Sequence, residues 1–235
     1  MSDEMSVHVN FGRPLPLFPL DGVVVLPQHV VPLHIFEPRY LQMIEHVLDG
    51  AGQIAMAVLA DPHRPTAVGV QPRLRPAVCL GQIVRHERLP GGRFNILLQG
   101  ICRARILEEQ PPAPDRLYRT ATLEPVGLES PPPSHLTVVR SQIEQLLGGQ
   151  GLGSMAGAKP AMEWIADEDL SDQLVLELMT LTMIAEPKLR YALLAEPDVA
   201  TRASMVLAEL RHLDRMITVA RQQRPDRWPK GMSWN

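Results

Sequence analysis

Six groups of residues in this 235-residue chain have types or spacings that could do chemistry. The stretch GGQGLGSMAGAKP (148–160) ends near a lysine and imitates a phosphate-binding loop. That chemistry needs a glycine directly before the lysine, Ser or Thr directly after it, and a buried strand in front. Here Ala158 precedes Lys159, Pro160 follows it, and the upstream pattern is helical, so the stretch reads as a flexible linker. A serine–lysine hydrolase would need a desolvated lysine. Only Lys159, Lys188 and Lys230 exist: one in that linker, one beside a helix-starting proline, one in an aperiodic tail. No G-x-S-x-G elbow is present, and no catalytic residue is assigned.

The eight histidines show no metal-ligand spacing. His29 and His34 lie five apart in an expected strand, which sends their side chains to opposite faces. The expectation is therefore no metal and no cofactor. Cys79 and Cys102 pose a register question. A hairpin about Pro90-Gly91 pairs positions that sum to 181, which sets the two cysteines opposite each other. A bulge at Gly81 or Gly100 would break that register and leave two buried thiols, the preferred reading.

Glu37 and Arg39 flank Pro38 and could form a charged recognition pair. The structural alternative is preferred: Glu37 near the positive end of a helix dipole, Arg39 neutralising a neighbour. The remaining candidate is a proline-punctuated run, LPLFPLDGVVVLPQHVVPLHIFEPRY, from Leu15 to Tyr40. Pro27 and Pro32 cannot donate to a ladder, so a strand over Val23–Ile35 belongs at a sheet edge or bends at a bulge. An edge strand can accept an extended peptide on its free backbone groups. Val25, Pro27, Val31, Pro32 and Leu33 are the candidate peptide-binding residues; filling the core is the equal alternative.

The elements that must position these residues fall into two sets. The first half reads as β: Leu15–Leu20, the Asp21-Gly22 turn, Val23–Ile35, Ile54–Leu59, Val78–Glu87, Phe94–Leu107 and Tyr118–Val126. One helix interrupts it, starting at Pro38, with Tyr40, Leu41, Ile44, Val47 and Leu48 at helical spacing and Gly50 or Gly52 as its end. Composition changes at SPPPS (130–134). Ser134 then caps a helix carrying Leu136, Val139, Ile143, Leu146 and Leu147. Three more helices follow: Ser171–Ala185 with Leu174, Leu178 and Leu181 recurring, a short one after Pro187, and a long one from Val199 to Gln222 capped by Asp198.

A net charge of −3, with the arginines dispersed, argues against nucleic acid as the main partner. No stretch approaches the apolar length of a membrane span, and MSDEMSVHVN has neither the basic segment nor the apolar stretch of a signal peptide. Two cysteines suit a reducing compartment, and the expected location is cytoplasmic.

Three separated segments in one order carry a family resemblance: LPLFPLDGVVVLPQHVVPLHIFEPRYLQMIEHVL, GQIVRHERLPGGRFNILLQGICRARI and LRYALLAEPDVATRASMVLAEL. Over residues 15–215 the chain resembles the substrate-binding N-terminal domain of the Lon protease. The resemblance implies an α+β fold, with an N-terminal PUA-like β pseudo-barrel bearing one inserted helix, then a C-terminal helical bundle. The implied organisation is a loose N-terminus (1–14), a β-rich lobe (15–130), a helical lobe (131–222, with the linker at about 148–160) and a loose tail (223–235). Phe36, Glu37, Pro38, Arg39, Tyr40, Gly81 and Gly100 match family positions and are taken as structural. The implied partners are unfolded or tagged polypeptides and a separate ATP-dependent protease. The ATPase and peptidase patterns of a full-length protease do not occur, so the chain is similar to free-standing Lon-domain proteins, non-catalytic adaptors or chaperone-like factors. A hydrolase by inheritance and a PUA-like RNA-binding protein are the alternatives.

Overall fold

The computed structural model describes residues 8–61, 71–128 and 133–222, with residues 133–135 as backbone only. The SPPPS boundary, the side-chain cap of Ser134, Lys230 and the tail 223–235 lie outside the described residues. The chain divides into two compact units, 1–129 with 186–197, and 130–185 with 198–235. The segment 186–197, which the sequence groups with the helices, thus belongs with the sheet.

In the first unit the order is β1 (Leu15–Leu20), β2 (Val30–Ile35), α1 (Pro38–Leu48), β3 (Gln53–Leu59), β4 (Leu74–Arg88), β5 (Phe94–Gln110) and β6 (Thr120–Val126), completed by α5 (Pro187–Ala195). The strands run β2-β5-β4-β3-β1-β6 across the sheet, and β5 also pairs with β6. That last pairing closes β5, β4, β3, β1 and β6 into a ring and leaves β2 outside it. β1 and β3 are parallel, and the other pairs are antiparallel. A ring of five strands has a narrow interior, and the inward positions alternate small with large: Ala55, Ala57, Ala104 and Ala121 beside Leu15, Leu17, Val78, Leu80 and Leu123. β3 is buried almost throughout, on both of its faces, which accounts for the unbroken apolar run IAMAVL.

Local chemistry sets the corners. Pro38 occupies the first turn of α1, where a missing N–H costs nothing, and Gly52 at φ 66° receives the helix end by donating to the Val47 carbonyl at 2.8 Å. The β4–β5 hairpin turns on Pro90 and on Gly91 at φ 82°, the sequence a type II turn requires, closed by Gly92 N–H to the Leu89 carbonyl at 3.2 Å.

Register along this hairpin differs from the expected constant sum of 181. Near the turn the pairs sum to 182 (Arg88↔Phe94), a bulge at Val84 shifts them to 181 (Ile83↔Leu98), and a second bulge at Ile101 restores 182 (Leu80↔Cys102). Cys79 therefore faces Arg103, while Cys102 pairs with Leu80, and alternation sends the two thiols to opposite faces. Neither cysteine forms a disulfide.

The expected strand Val23–Ile35 is also revised. Val24, Val25, Leu26 and Pro27 are buried but not in a strand, and β2 begins only at Val30. Gln28 at φ 68° turns the chain there, and a proline-interrupted run cannot hold a continuous ladder. The outer faces of β4 and β5 are covered by α5. The Ala77 N–H donates to the Tyr191 hydroxyl at 3.0 Å, Arg75 lies 3.2 Å over the Tyr191 ring, and Arg103 Nε donates to the Leu193 carbonyl at 3.1 Å.

The second unit contains α2 (Pro133–Leu147), a single 3-10 turn (Leu152–Ser154), α3 (Ala158–Ala166), α4 (Asp172–Met183) and α6 (Val199–Gln222). Ser171 and Asp198 cap α4 and α6 through the Leu174 and Thr201 N–H groups, at 3.2 and 2.7 Å. The stripe Leu174, Leu178 and Leu181 is only half-buried; Val175, Leu176, Met179 and Met183 fill the core. Arg140 ties the α3–α4 connection together by donating to the carbonyls of Ile165, Asp167 and Leu170 at 2.7, 2.6 and 2.9 Å. The flexible-linker reading of 148–160 does not hold. Leu152 is fully buried and donates to Asp214 Oδ1 at 2.8 Å, and α3 starts inside the stretch. Its glycines permit close packing: a Cβ at Gly151 would overlap Asp214 and Thr218.

Candidate functional site

The open end of the sheet is β2, whose inner edge pairs with β5 from Val30↔Gln99 to Ile35↔Phe94. The Gly100 N–H donates to the His29 carbonyl at 2.8 Å. Alternation in an antiparallel pair then turns the backbone groups of positions 31, 33 and 35 toward β5 and those of 30, 32 and 34 outward. Pro32 falls on an outward position, where its missing N–H leaves no gap in the ladder. Val30 and His34 present N–H groups, and all three positions present carbonyls, along the free edge.

Side chains alternate in the same rhythm. Val31, Leu33 and Ile35 turn inward, while Val30, Pro32 and His34 are exposed. Adding the β4–β5 register gives three rows on one face: Val30–Gln99–Gln82, Pro32–Leu97–Arg85 and His34–Asn95–Glu87. Over the last two rows lies an open cavity of about 470 Å³ with Leu97 and Pro32 at its base and Arg85, Glu87 and His34 around it. His34 Nδ1 is 2.7 Å from Asn95 Oδ1, and its ring stacks on Phe36 at 6.0 Å. Phe36 is 62% exposed and Val30 48%, so apolar surface flanks the edge. The site offers strand-pairing groups, apolar contact and one charge of each sign.

Of the five sequence candidates Pro32 lies on this face, and Leu33 also lines the cavity. Val25 and Pro27 are buried and unreachable, and Val31 and Leu33 point inward. Val30, His34, Leu97 and Asn95 escape sequence reasoning because their placement depends on which residue the strand starts from and which hairpin lies beside it.

The family-motif positions separate by role. Arg39 donates to Glu37 Oε2 through Nε and Nη2 at 3.0 and 2.7 Å, and its guanidinium sits 4.5 Å over the Tyr40 ring. Tyr40 packs on Phe18 at 4.4 Å, and burial pushes its phenol above the usual range. A Cβ at Gly81 would meet the Leu98 side chain at 2.6 Å, and one at Gly100 would collide with the Leu26 carbonyl. Phe36 is the exception, since it packs against His34 at the surface rather than in the core.

Cys102 and the two described lysines lack the features of an activated nucleophile. Burial pushes the Cys102 thiol up to about 11, which keeps it protonated. Lys159 and Lys188 are exposed, the opposite of the desolvated lysine a hydrolase needs. Among the described residues no three His, Cys, Asp or Glu side chains gather as a metal site, and no helix is long and apolar enough to cross a membrane.

Comparison with known proteins places the fold and the family. The chain is 31% identical over 124 residues to the Lon protease of Trichlorobacter lovleyi, an alignment covering 49% of this chain and 14% of that protein. It is 30% identical over 148 residues to the Lon protease of Lawsonia intracellularis, covering 59% and 17%. The chain thus spans a small part of the relatives it matches. Among solved structures, the N-terminal domain of Mycobacterium avium complex Lon protease superposes with a TM-score of 0.62 at 17% identity, over 85% of this chain and 98% of that one. A Lon N-terminal domain protein from Xanthomonas campestris gives 0.55 at 21% identity, over 83% and 98%. The model of the ATP-dependent protease La (LON) substrate-binding domain matches residues 14–212, and the chain belongs to that family.

Proposed function

We propose that this chain binds unfolded or tagged polypeptide segments without cleaving them, as an adaptor or chaperone-like factor that serves a separate ATP-dependent protease in the cytoplasm. The ring and its helix act as a PUA-like pseudo-barrel that holds the β2 edge rigid. The observation that carries this reading is the free edge of β2, with outward backbone groups at 30, 32 and 34 beside exposed Val30 and Phe36 and half-buried Leu97. An extended segment adds its backbone to that edge and lays alternate side chains on the exposed face. Membership of a substrate-binding family supports the polypeptide as ligand. Exposed lysines and a thiol held protonated count against hydrolysis, and a net charge of −3 counts against RNA.

The test is fluorescence anisotropy with a reduced, alkylated and therefore permanently unfolded protein, without ATP. Saturable binding is expected, weakened about tenfold by Val30→Asp, which sets an unpaired charge on the contact face. Absence of binding by wild-type chain, or equal binding by the variant, contradicts the reading.

A further inference from the structure

The turn leading into β2 is held by backbone hydrogen bonds and carries a half-buried histidine. Gln28, at φ 68°, is the one non-glycine residue in the left-handed region among the described residues. Such a conformation persists only where surroundings impose it. Three backbone bonds do so: His29 N–H to the Leu26 carbonyl at 3.1 Å, Gln28 N–H to the Gly100 carbonyl at 2.8 Å, and Gly100 N–H to the His29 carbonyl at 2.8 Å. The turn lies directly on Gly100, where no Cβ fits beneath the Leu26 carbonyl.

The His29 ring completes the arrangement. Its Nδ1 is buried and has no hydrogen-bond partner among the described residues. Among the described residues, the positive charge that acts on the ring is the guanidinium of Arg190 in α5. The turn and the facing strand contribute Gln28, Gln99 and Gly100, none of them charged. In the imidazolium both ring nitrogens donate, so protonation would fix a buried N–H that faces no acceptor and set a second cation near a guanidinium.

We propose that Leu26–His29 is a protonation-operated latch: charging His29 beside Arg190 opens the turn and loosens the start of β2. This stands apart from what β2 binds, because opening is measured without any ligand.

Burial first, and Arg190 second, hold the His29 ring below its ordinary value. A histidine depressed in the folded state stabilises the closed turn fully above the open-state value of about 6.5, and that stabilisation is lost as pH falls below it. At pH 5.5, one unit below that value, the opening constant rises by at most about tenfold over pH 7.5.

Hydrogen exchange of the full chain at pH 7.5 and 5.5, corrected for intrinsic rates, reads this directly. Protection at the Gln28, His29 and Gly100 amides is expected to fall by up to about tenfold at pH 5.5, with β3 unchanged, and His29→Gln is expected to abolish the response. Unchanged wild-type protection at these three amides, or the same response in His29→Gln, overturns the latch. A second measurement does not depend on that variant folding. An NMR titration of the wild-type His29 ring should give a midpoint below 6.5, moved upward by Arg190→Gln; a wild-type midpoint at or above the ordinary value overturns the latch as well.

Discussion

The two halves of β5 meet opposite fates. From Arg103 to Gln110 the strand pairs with β6 and closes the ring, so its backbone edge on that side is used up. From Phe94 to Gln99 the same side of the strand carries β2, and there the sheet ends. The change falls at Gly100–Ile101, where a bulge shifts register and the turn 26–29 rests on a glycine. One half spends its hydrogen bonds on stability, and the other keeps an edge available. Natural sheets usually blunt such edges. Here the blunting is partial: Pro32 removes one outward donor, and His34 adds polarity, yet Val30 and Phe36 stay exposed.

Stability measurements can break this contrast. Leu80 is fully buried inside the ring, and Leu80→Ala should cost about 3 kcal/mol in chemical unfolding, against less than about 0.5 kcal/mol for Val30→Ala at the edge. Equal costs would remove the distinction between the halves. At the junction Gly100→Ala should cost about 2 kcal/mol, because a Cβ meets the Leu26 backbone rather than a movable side chain. A neutral result there would mean the turn 26–29 can shift freely. Tyr191→Phe leaves the buried Ala77 N–H without its 3.0 Å acceptor and should cost about 1 kcal/mol by thermal melting. Loss of that size would tie α5 to the ring half, whereas no loss would make its packing incidental.

The sequence made parts of this molecule legible and hid others for physical reasons. Strong local signals located α1 and α6, because Pro38, Asp198 and the apolar spacing act within one or two turns. The apolar runs that mark β1 and β3 were equally local. Register was not. Two bulges separate Cys79 from Cys102, and a bulge arises from packing across strands rather than from a residue pattern. The run 148–157 misleads for a related reason. Glycine signals flexibility in isolation, yet Gly151 and Gly153 are there because Asp214, Thr218 and the Leu147 carbonyl leave no room for a side chain. At the site, the proline pattern points to an edge strand, but Val25 and Pro27 lie under the turn rather than on the edge. The exposed face needs β4 and β5 as well, and their contribution, Leu97 with Arg85 and Asn95 with Glu87, follows only from the paired register.

The central claim is that an extended polypeptide docks on the free edge of β2. Residue-resolved amide exchange with and without a saturating unfolded polypeptide, at pH 7.5, tests it most directly. The account predicts new protection at the outward amides of Val30 and His34, with Val31, Leu33 and Ile35 unchanged because β5 already holds them. Binding that leaves Val30 and His34 unprotected, while amides elsewhere gain protection, would contradict it.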